Sequence, residues 1–408
     1  MEEFKTYLME DLIEEIAMGP FGSNIKVDCF VESGIPVLNG SNLQGFKLNE
    51  GSFNYVTPKK ADSLNKANAY RGDIVITHRG TLGQIVYIPA DSLYDRYVIS
   101  QSQFRIRLNT NLALPEYVVY FFHTRIGQHR LLANASQVGV PAIARPTTTF
   151  RKIEIELPAL NEQKRIVEIL DSLSNKIALN NRINHNLEEQ TLALYKSWFI
   201  DYKPFKDEAF DDSEKGMVPK GWKVKRLGDL CTCVLGGTPS RNHPEYWGGS
   251  IGWINSGAVN EFRITEPSEF ITDKGLRSSA TKLLPANTVV IAITGATLGQ
   301  YSILSISSCA NQSVIGILEN TKVPTEYIYP FIAFSIDDLL LSATGGAQQH
   351  INKNNVENLN IIIPPEEIMK AYSAVAKNMF EEITVRSLEN KKLCIARDSL
   401  LPRLMSSE

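Results

Sequence analysis

A chain of 408 residues, 43% hydrophobic and 21% charged, has room for two to three globular domains at roughly 150 residues each. No apolar run reaches the roughly 18 residues that span a bilayer, and Met1-Glu2-Glu3-Phe4 lacks a leader pattern, so the expectation is a cytoplasmic chain with no membrane partner. The net charge of −3 hides an uneven distribution: Ala69–Arg151 holds nine arginines, no lysine and four acids, whereas Trp222–Asn360 holds ten basic and eleven acidic residues.

Taken in chain order, the elements occur twice, about 210 residues apart, which is the strongest organisational signal in the chain. An opening Asp-Leu (Asp11-Leu12; Asp229-Leu230) leads to a Gly-rich stretch, Gly19-Pro20-Phe21-Gly22-Ser23 or Gly236-Gly237-Thr238-Pro239-Ser240. Such stretches read as turns more readily than as phosphate cradles. A short apolar strand follows, Ile35-Pro36-Val37-Leu38-Asn39-Gly40-Ser41 or Ile251-Gly252-Trp253-Ile254-Asn255-Ser256-Gly257. Then comes a β-branched strand entering a tight turn, Asp73 to Gln84 or Thr288 to Gln300, and both turns close on the same Thr-Leu-Gly-Gln. A further strand (Gln103 to Leu108; Ser313 to Leu318) precedes an aromatic-rich helix opening at Pro115-Glu116-Tyr117 or Thr325-Glu326-Tyr327. Tyr117, Tyr120, Phe121 and Phe122 are spaced for a core, not for stacking on bases. Each half closes with a strand ending in proline (Ile153 to Pro158; Leu359 to Pro364) that runs into a long amphipathic segment.

The first such segment, N-capped at Asn161, runs without Pro or Gly to about Ile200, a helix of roughly 60 Å. Its apolar positions Ile166, Leu170, Leu173 and Ile177 step in heptad fashion, pass Asn180 and Asn184, and resume at Leu187, Leu194 and Trp198; the second helix repeats the step with Ile368, Tyr372, Val375 and Met379. The expected fold is therefore α+β: two pseudo-repeated mixed α/β domains joined by two long antiparallel coiled-coil-like helices. The boundaries fall at 1–157, 158–203, 204–363 and 364–408, with buried asparagine fixing the register of a two-helix ruler. Trp222, after Gly221, is expected to anchor the second domain.

Pro158-Ala159-Leu160-Asn161-Glu162-Gln163-Lys164-Arg165-Ile166 resembles the Leu-Pro-x-Leu-x-Glu-Gln-x-x-Ile signature that opens the central conserved helix of type I restriction-modification specificity subunits. Ser197-Trp198-Phe199-Ile200-Asp201-Tyr202-Lys203-Pro204-Phe205 resembles the segment that closes it, and Val218-Pro219-Lys220-Gly221-Trp222-Lys223-Val224-Lys225-Arg226-Leu227-Gly228 resembles the opening of a second recognition domain. The second helix departs from the pattern: Pro364-Pro365-Glu366-Glu367-Ile368 lacks Glu-Gln-x-x-Ile. The resemblance implies two target recognition domains, each reading half of a split site in double-stranded DNA, on helices that also bind two methyltransferase subunits, with restriction subunits completing the complex. It implies no cofactor on this chain, S-adenosylmethionine, ATP and Mg being held by those partners.

The loops that differ between the matching halves are the candidate base readers. In the first half these are His78, Arg79 and Thr81, then Ser136, Gln137 and Arg145; in the second, Thr294 and Thr297, then Gln348, Gln349 and His350. On the shared Thr-Leu-Gly-Gln, His78-Arg79 aligns with Thr294-Gly295. Arginine suits guanine O6 and N7, and glutamine suits adenine N6 and N7. No amino-methyltransferase, dinucleotide or ATP-binding motif occurs, and the six histidines have no metal-ligand spacing. The five cysteines are too scattered for a disulfide framework, and Cys231-Thr232-Cys233 has the wrong gap for a zinc knuckle. Two other readings stand beside this one: a protein scaffold with little DNA binding, suggested by the near-neutral second half, and a nuclease with an unrecognised site.

Overall fold

The computed structural model describes residues 4–20, 24–136, 139–343 and 349–406. The chain forms two compact units, one running to Asn175 and resuming at Leu393, the other comprising Lys176–Lys392.

In the first unit a four-stranded antiparallel sheet has the spatial order Ile13–Met18, Gln103–Leu108, Ile74–Thr77, Ile85–Tyr87. Strand alternation feeds two cores from one sheet. Ile74, Ile76, Phe104 and Ile106 join Tyr117, Tyr120 and Phe122 of the helix Pro115–His123, while Val75 and Val86 join Val37 and Val98 of a second sheet. The aromatic run is thus packing, as its spacing predicts. The second sheet has five short strands, with Ile35–Val37 parallel to Arg96–Val98 at its middle.

The second unit repeats this order with Thr232–Leu235, Val314–Leu318, Val289–Ala292 and Tyr301–Ile303, all antiparallel. Val289 and Ile291 share a core with Tyr327, and Val290 and Ala292 share another with Ile254. Its outer sheet keeps the parallel contact, Ile254 to Ala310, but has three strands. Each unit also pairs an early strand with the one that leads into a long helix, Lys5–Leu8 with Glu154–Leu157 and Lys223–Arg226 with Asn360–Ile363. Trp222 is buried against Phe205 and Phe199, with ring centroids 5.0 and 5.8 Å away.

The long helices are Leu160–Phe199 and Glu366–Leu404. Asn161 lies inside the first turn and is not the cap: the Ala159 carbonyl accepts from the Glu162 and Gln163 amides at 2.9 and 3.0 Å, so the helix starts as soon as Pro158 is passed. Gln163 is fully buried. Its Oε1 accepts from the Leu114 amide, and its Nε2 donates to the Leu112 and Pro158 carbonyls, all at 3.0 Å. This glutamine pins the helix to its own unit, a physical reason for the Glu-Gln signature. The second helix, without it, docks through Tyr372, whose hydroxyl donates to the Glu326 carbonyl at 3.0 Å.

Ile166 and Leu170 are buried in the first unit's core with Leu401 and Met405, while Leu173, Ile177 and Leu187 are half-buried. Asn180 Nδ2 donates to Asn390 Oδ1 at 2.8 Å and to Glu389 Oε2 at 2.7 Å, and Asn184 Nδ2 donates to Ser387 Oγ at 3.2 Å. Contacts that rise along one helix and fall along the other make the pair antiparallel. Leu194 and Trp198 flank Tyr195 and Phe199, which are the buried members of that end. On the second helix the buried stripe is Met369, Tyr372, Ala376, Phe380, Ile383 and Asn390. Val375 is therefore a correction, being 45% exposed, and Ile368 and Met379 are only half-buried flanking residues. A heptad count fits two neighbouring stripes equally well, and the bulk of valine favoured the wrong one over Ala376. No helix among the described residues is long and apolar enough to cross a membrane.

Candidate nucleic-acid interface

The loop after the strand Ile74–Thr77 is held from both sides. The His78 amide donates to the Ser102 carbonyl at 2.9 Å, and the Ile143 amide donates to the His78 carbonyl at 2.9 Å. Arg79 then forms an antiparallel bridge with Ala142, next to the two-residue ribbon that pairs Ala135–Ser136 with Ala142–Ile143. In the second unit the Ile293 amide donates to the Ser313 carbonyl, the Ile351 amide to the Ile293 carbonyl, and Thr294 bridges His350. Backbone pairing thus brings the two variable loops of each unit together, at the same place in both. It also shifts their alignment by one residue. Arg79 matches Thr294 and His78 matches the buried Ile293, the second loop accommodating one more residue before Thr-Leu-Gly-Gln.

The shared tetrapeptide is structural. Gly83 and Gly299 sit at φ 87° and 84°, a left-handed conformation that favours glycine. Gln84 Oε1 accepts from the Thr77 hydroxyl at 3.0 Å, and its Nε2 donates to the Gly40 carbonyl at 2.9 Å. Asn39 and Asn255 cap the adjoining 3₁₀ turns by accepting from the Ser41 and Gly257 amides at 2.8 Å. The glutamine and the asparagine recur in the duplicated strings, as Gln84 and Gln300 and as Asn39 and Asn255, and that recurrence is the signal that marks them as loop supports. The Gly-rich openings are close-approach sites: a Cβ on Gly19 would fall 1.9 Å from the Ser100 carbonyl oxygen, and one on Gly236 2.1 Å from that of Asn311.

Among the candidate readers, Arg79, Thr81, Ser136 and Arg145 are exposed in the first unit, as are Gln349 and His350 in the second; Thr294 and Thr297 are half-buried. Gln137 and Gln348 lie outside the described residues, as do Phe21-Gly22-Ser23 of the first Gly-rich stretch. Arg145 holds a left-handed backbone at φ 46° at the start of the helix Pro146–Arg151. His78 is half-buried, with Nε2 3.2 Å from the Gln101 carbonyl, and burial holds its imidazole below the ordinary value. At neutral pH it supports the loop as an uncharged group.

The nine arginines of this region separate into two sets. Arg105 is buried on Glu15 at 2.6 Å and Asp73 at 3.3 Å, and Arg107 reaches Asp73 at 2.8 Å. Arg71 and Arg96 pair with Asp95 and Asp62, and Arg130 donates to the Glu154 carbonyl at 2.6 Å. Arg79, Arg125, Arg145 and Arg151 form no ion pair with the described residues. Arg79 also borders a cleft of about 550 Å³, together with Lys66, Asn24, Gln101 and the Gly19-Pro20 opening. Two of these four arginines, Arg79 and Arg145, lie in the variable loops. Among the described residues no cluster of three or more His, Cys, Asp or Glu is placed to hold a metal ion.

Two copies of one unit, each presenting a pair of variable loops on a common support, define a duplicated recognition scaffold. Residues 21–189 and 219–389 match the family described as type I restriction modification DNA specificity domain, and the chain belongs to that family as a non-catalytic specificity subunit. The type I restriction enzyme HindI specificity subunit of Haemophilus influenzae is 26% identical over 406 residues, covering 83% of this chain and 86% of that one. The MjaIX specificity subunit of Methanocaldococcus jannaschii is 24% identical over 405 residues, covering 97% and 91%. The crystal structure of a type I system S subunit from M. genitalium has the same fold, with a TM-score of 0.61 over 100% of this chain and 97% of that one at 13% identity.

Proposed function

We propose that each unit reads one half of a bipartite site in double-stranded DNA through its paired variable loops, and that the two long helices seat two methyltransferase subunits, with restriction subunits joining the complete assembly. S-adenosylmethionine, ATP and Mg are held by those partners, and this chain supplies sequence selection alone. The observation that carries the reading is the recurrence of one loop pair, Arg79 bridged to Ala142 and Thr294 bridged to His350, on supports that match while the exposed side chains differ. A duplicated chain fixes two readers as a dimer does while leaving their specificities free to diverge. Unpaired arginines make phosphate and guanine contact the natural role of the first unit, whereas hydroxyl and amide groups carry the second.

The test is co-expression with the neighbouring methyltransferase subunit and mapping of methylated adenines across host DNA. Two short half-sites at a fixed gap are expected. A stable complex that methylates nothing would point to a scaffold, and methylation at a continuous site would break the two-reader reading.

A further inference from the structure

In the second unit a buried arginine lies away from the variable loops and has no role in the reading above. Arg263 is 4% exposed, its Nη1 donates to the Phe262 carbonyl at 2.7 Å, and Nη1 lies 3.8 Å from Glu188 Oε1 on the first long helix. The Tyr329 hydroxyl donates to the same Glu188 oxygen. The guanidinium carbon stands 4.5 Å from the Phe262 ring centroid, 4.8 Å from Tyr329 and 5.6 Å from Phe380 on the second long helix. Among the described residues its Nε and Nη2 have no hydrogen-bond partner. A charge held this deep with two unpaired donors is costly, and the best-attested use of such a group is to specify one arrangement over its neighbours.

The first unit has a counterpart. The Leu48 amide donates to the Tyr87 carbonyl, as the Ile264 amide donates to the Ile303 carbonyl, so Lys47 occupies the place of Arg263. Lys47 Nζ lies 3.2 Å from Asp171 Oδ2 and 3.0 Å from Asn175 Oδ1, again on the first long helix. The fold duplicates the position, not the residue, and in both units it places a cation from the same loop on an acid of the same helix.

We propose that Lys47–Asp171 and Arg263–Glu188 are a duplicated clasp that seats each recognition unit on the spacer helix, and that Arg263 is a positioning residue for the gap between the half-sites. The inference rests on the bipartite reading. Arginine takes the buried seat because its Nη1 reaches a carboxylate and a carbonyl while its flat faces lie against aromatic rings, which an ammonium does not combine. A unit released from its clasp keeps its reading loops and loses its setting on the helix.

The experiment is a methylation map with the full chain co-expressed with the methyltransferase subunit, comparing wild type with Arg263→Met, Arg263→Lys and Glu188→Gln. Both half-site sequences are expected to persist in Arg263→Met, while methylation at the wild-type gap falls about tenfold and sites with gaps one base pair longer or shorter appear, since misplacements of about 1 Å are enough for losses of this size. Arg263→Lys should recover part of the gap selectivity, and Glu188→Gln should relax it in the same direction. If Arg263→Met fails to assemble, Glu188→Gln decides, because it keeps the arginine and an acceptor for Tyr329. An unchanged gap and rate in Glu188→Gln would overturn the clasp, as would loss of one half-site's base preference at an unchanged gap. A wild-type map without two half-sites would instead remove the bipartite reading on which the clasp depends.

Discussion

Replacing Arg79 with alanine separates the ways in which an arginine can serve DNA binding. The side chain is exposed and has no ion pair with the described residues, so the fold should lose no more than about 0.5 kcal/mol, as for an ordinary surface change. A bidentate contact to guanine is worth about 1–3 kcal/mol of discrimination, roughly 5- to 150-fold at one base pair. The assay is fluorescence anisotropy of the complex assembled with methyltransferase subunits, on the mapped duplex and on duplexes changed one base pair at a time, between 50 and 200 mM salt. Base reading predicts a loss confined to one position, with discrimination flattened there. Phosphate contact predicts uniform weakening and a salt slope shallower by about one. Affinity, discrimination and salt slope all unchanged would refute the assignment of this loop to DNA. Arg105→Met is the control: this arginine is buried on Glu15 and Asp73, and its removal leaves buried Asp73 with Arg107 as its one remaining cation, so it should cost about 1–3 kcal/mol of stability without a selective change at any base.

Four further outcomes are expected. Asn390→Leu should lower stability by about 1–3 kcal/mol by taking a partner from buried Asn180, and adding Asn180→Leu should restore most of it; a double variant no better than the single in urea unfolding would argue against the amide pair. Gly19→Ala should destabilise the first unit, because the added carbon meets backbone and the Ser100 carbonyl cannot swing aside; an unchanged urea midpoint would contradict this. Burial pushes the Cys231 and Cys233 thiols up to about 11 and 12, leaving little thiolate at pH 8, so maleimide should label the half-buried Cys29 and Cys394 first, as read by mass spectrometry of digests. Burial also holds His123 below its ordinary value of 6.5, so the unfolded chain binds this proton more readily. The stability His123 contributes is therefore complete above about pH 6.5 and declines as the pH falls below it, and His123→Gln should flatten the urea midpoint between pH 7.5 and 5.5.

Duplication made much of the architecture legible in the sequence. Strings such as Ile74-Val75-Ile76 and Val289-Val290-Ile291 carry period-two burial on both faces, and an uninterrupted segment from Leu160 to Phe199 has no state open to it but helix. The aromatic helix, the buried asparagines and Trp222 follow from local pattern for the same reason. What local pattern cannot supply is phase and partnership. Ala376 and Phe380, not Val375 and Met379, face inward, because a heptad stripe read from one helix has a neighbour that fits nearly as well until the surface it packs against is present.

Charge shows the same division. Nine arginines without a lysine give the stretch Ala69–Arg151 its basic excess, but only tertiary contacts determine that Arg105 and Arg107 are spent on Asp73 and Glu15 while Arg79 and Arg145 form no ion pair among the described residues. The bridges from Arg79 to Ala142 and from Thr294 to His350 join segments more than fifty residues apart, and no spacing rule links them. The sequence by itself determined the repeat, the helices and the variable segments, because those depend on residues near one another in the chain. The structure decided which side chains meet, since side-chain neutralisation and loop pairing are settled between distant residues whose proximity only the folded chain creates.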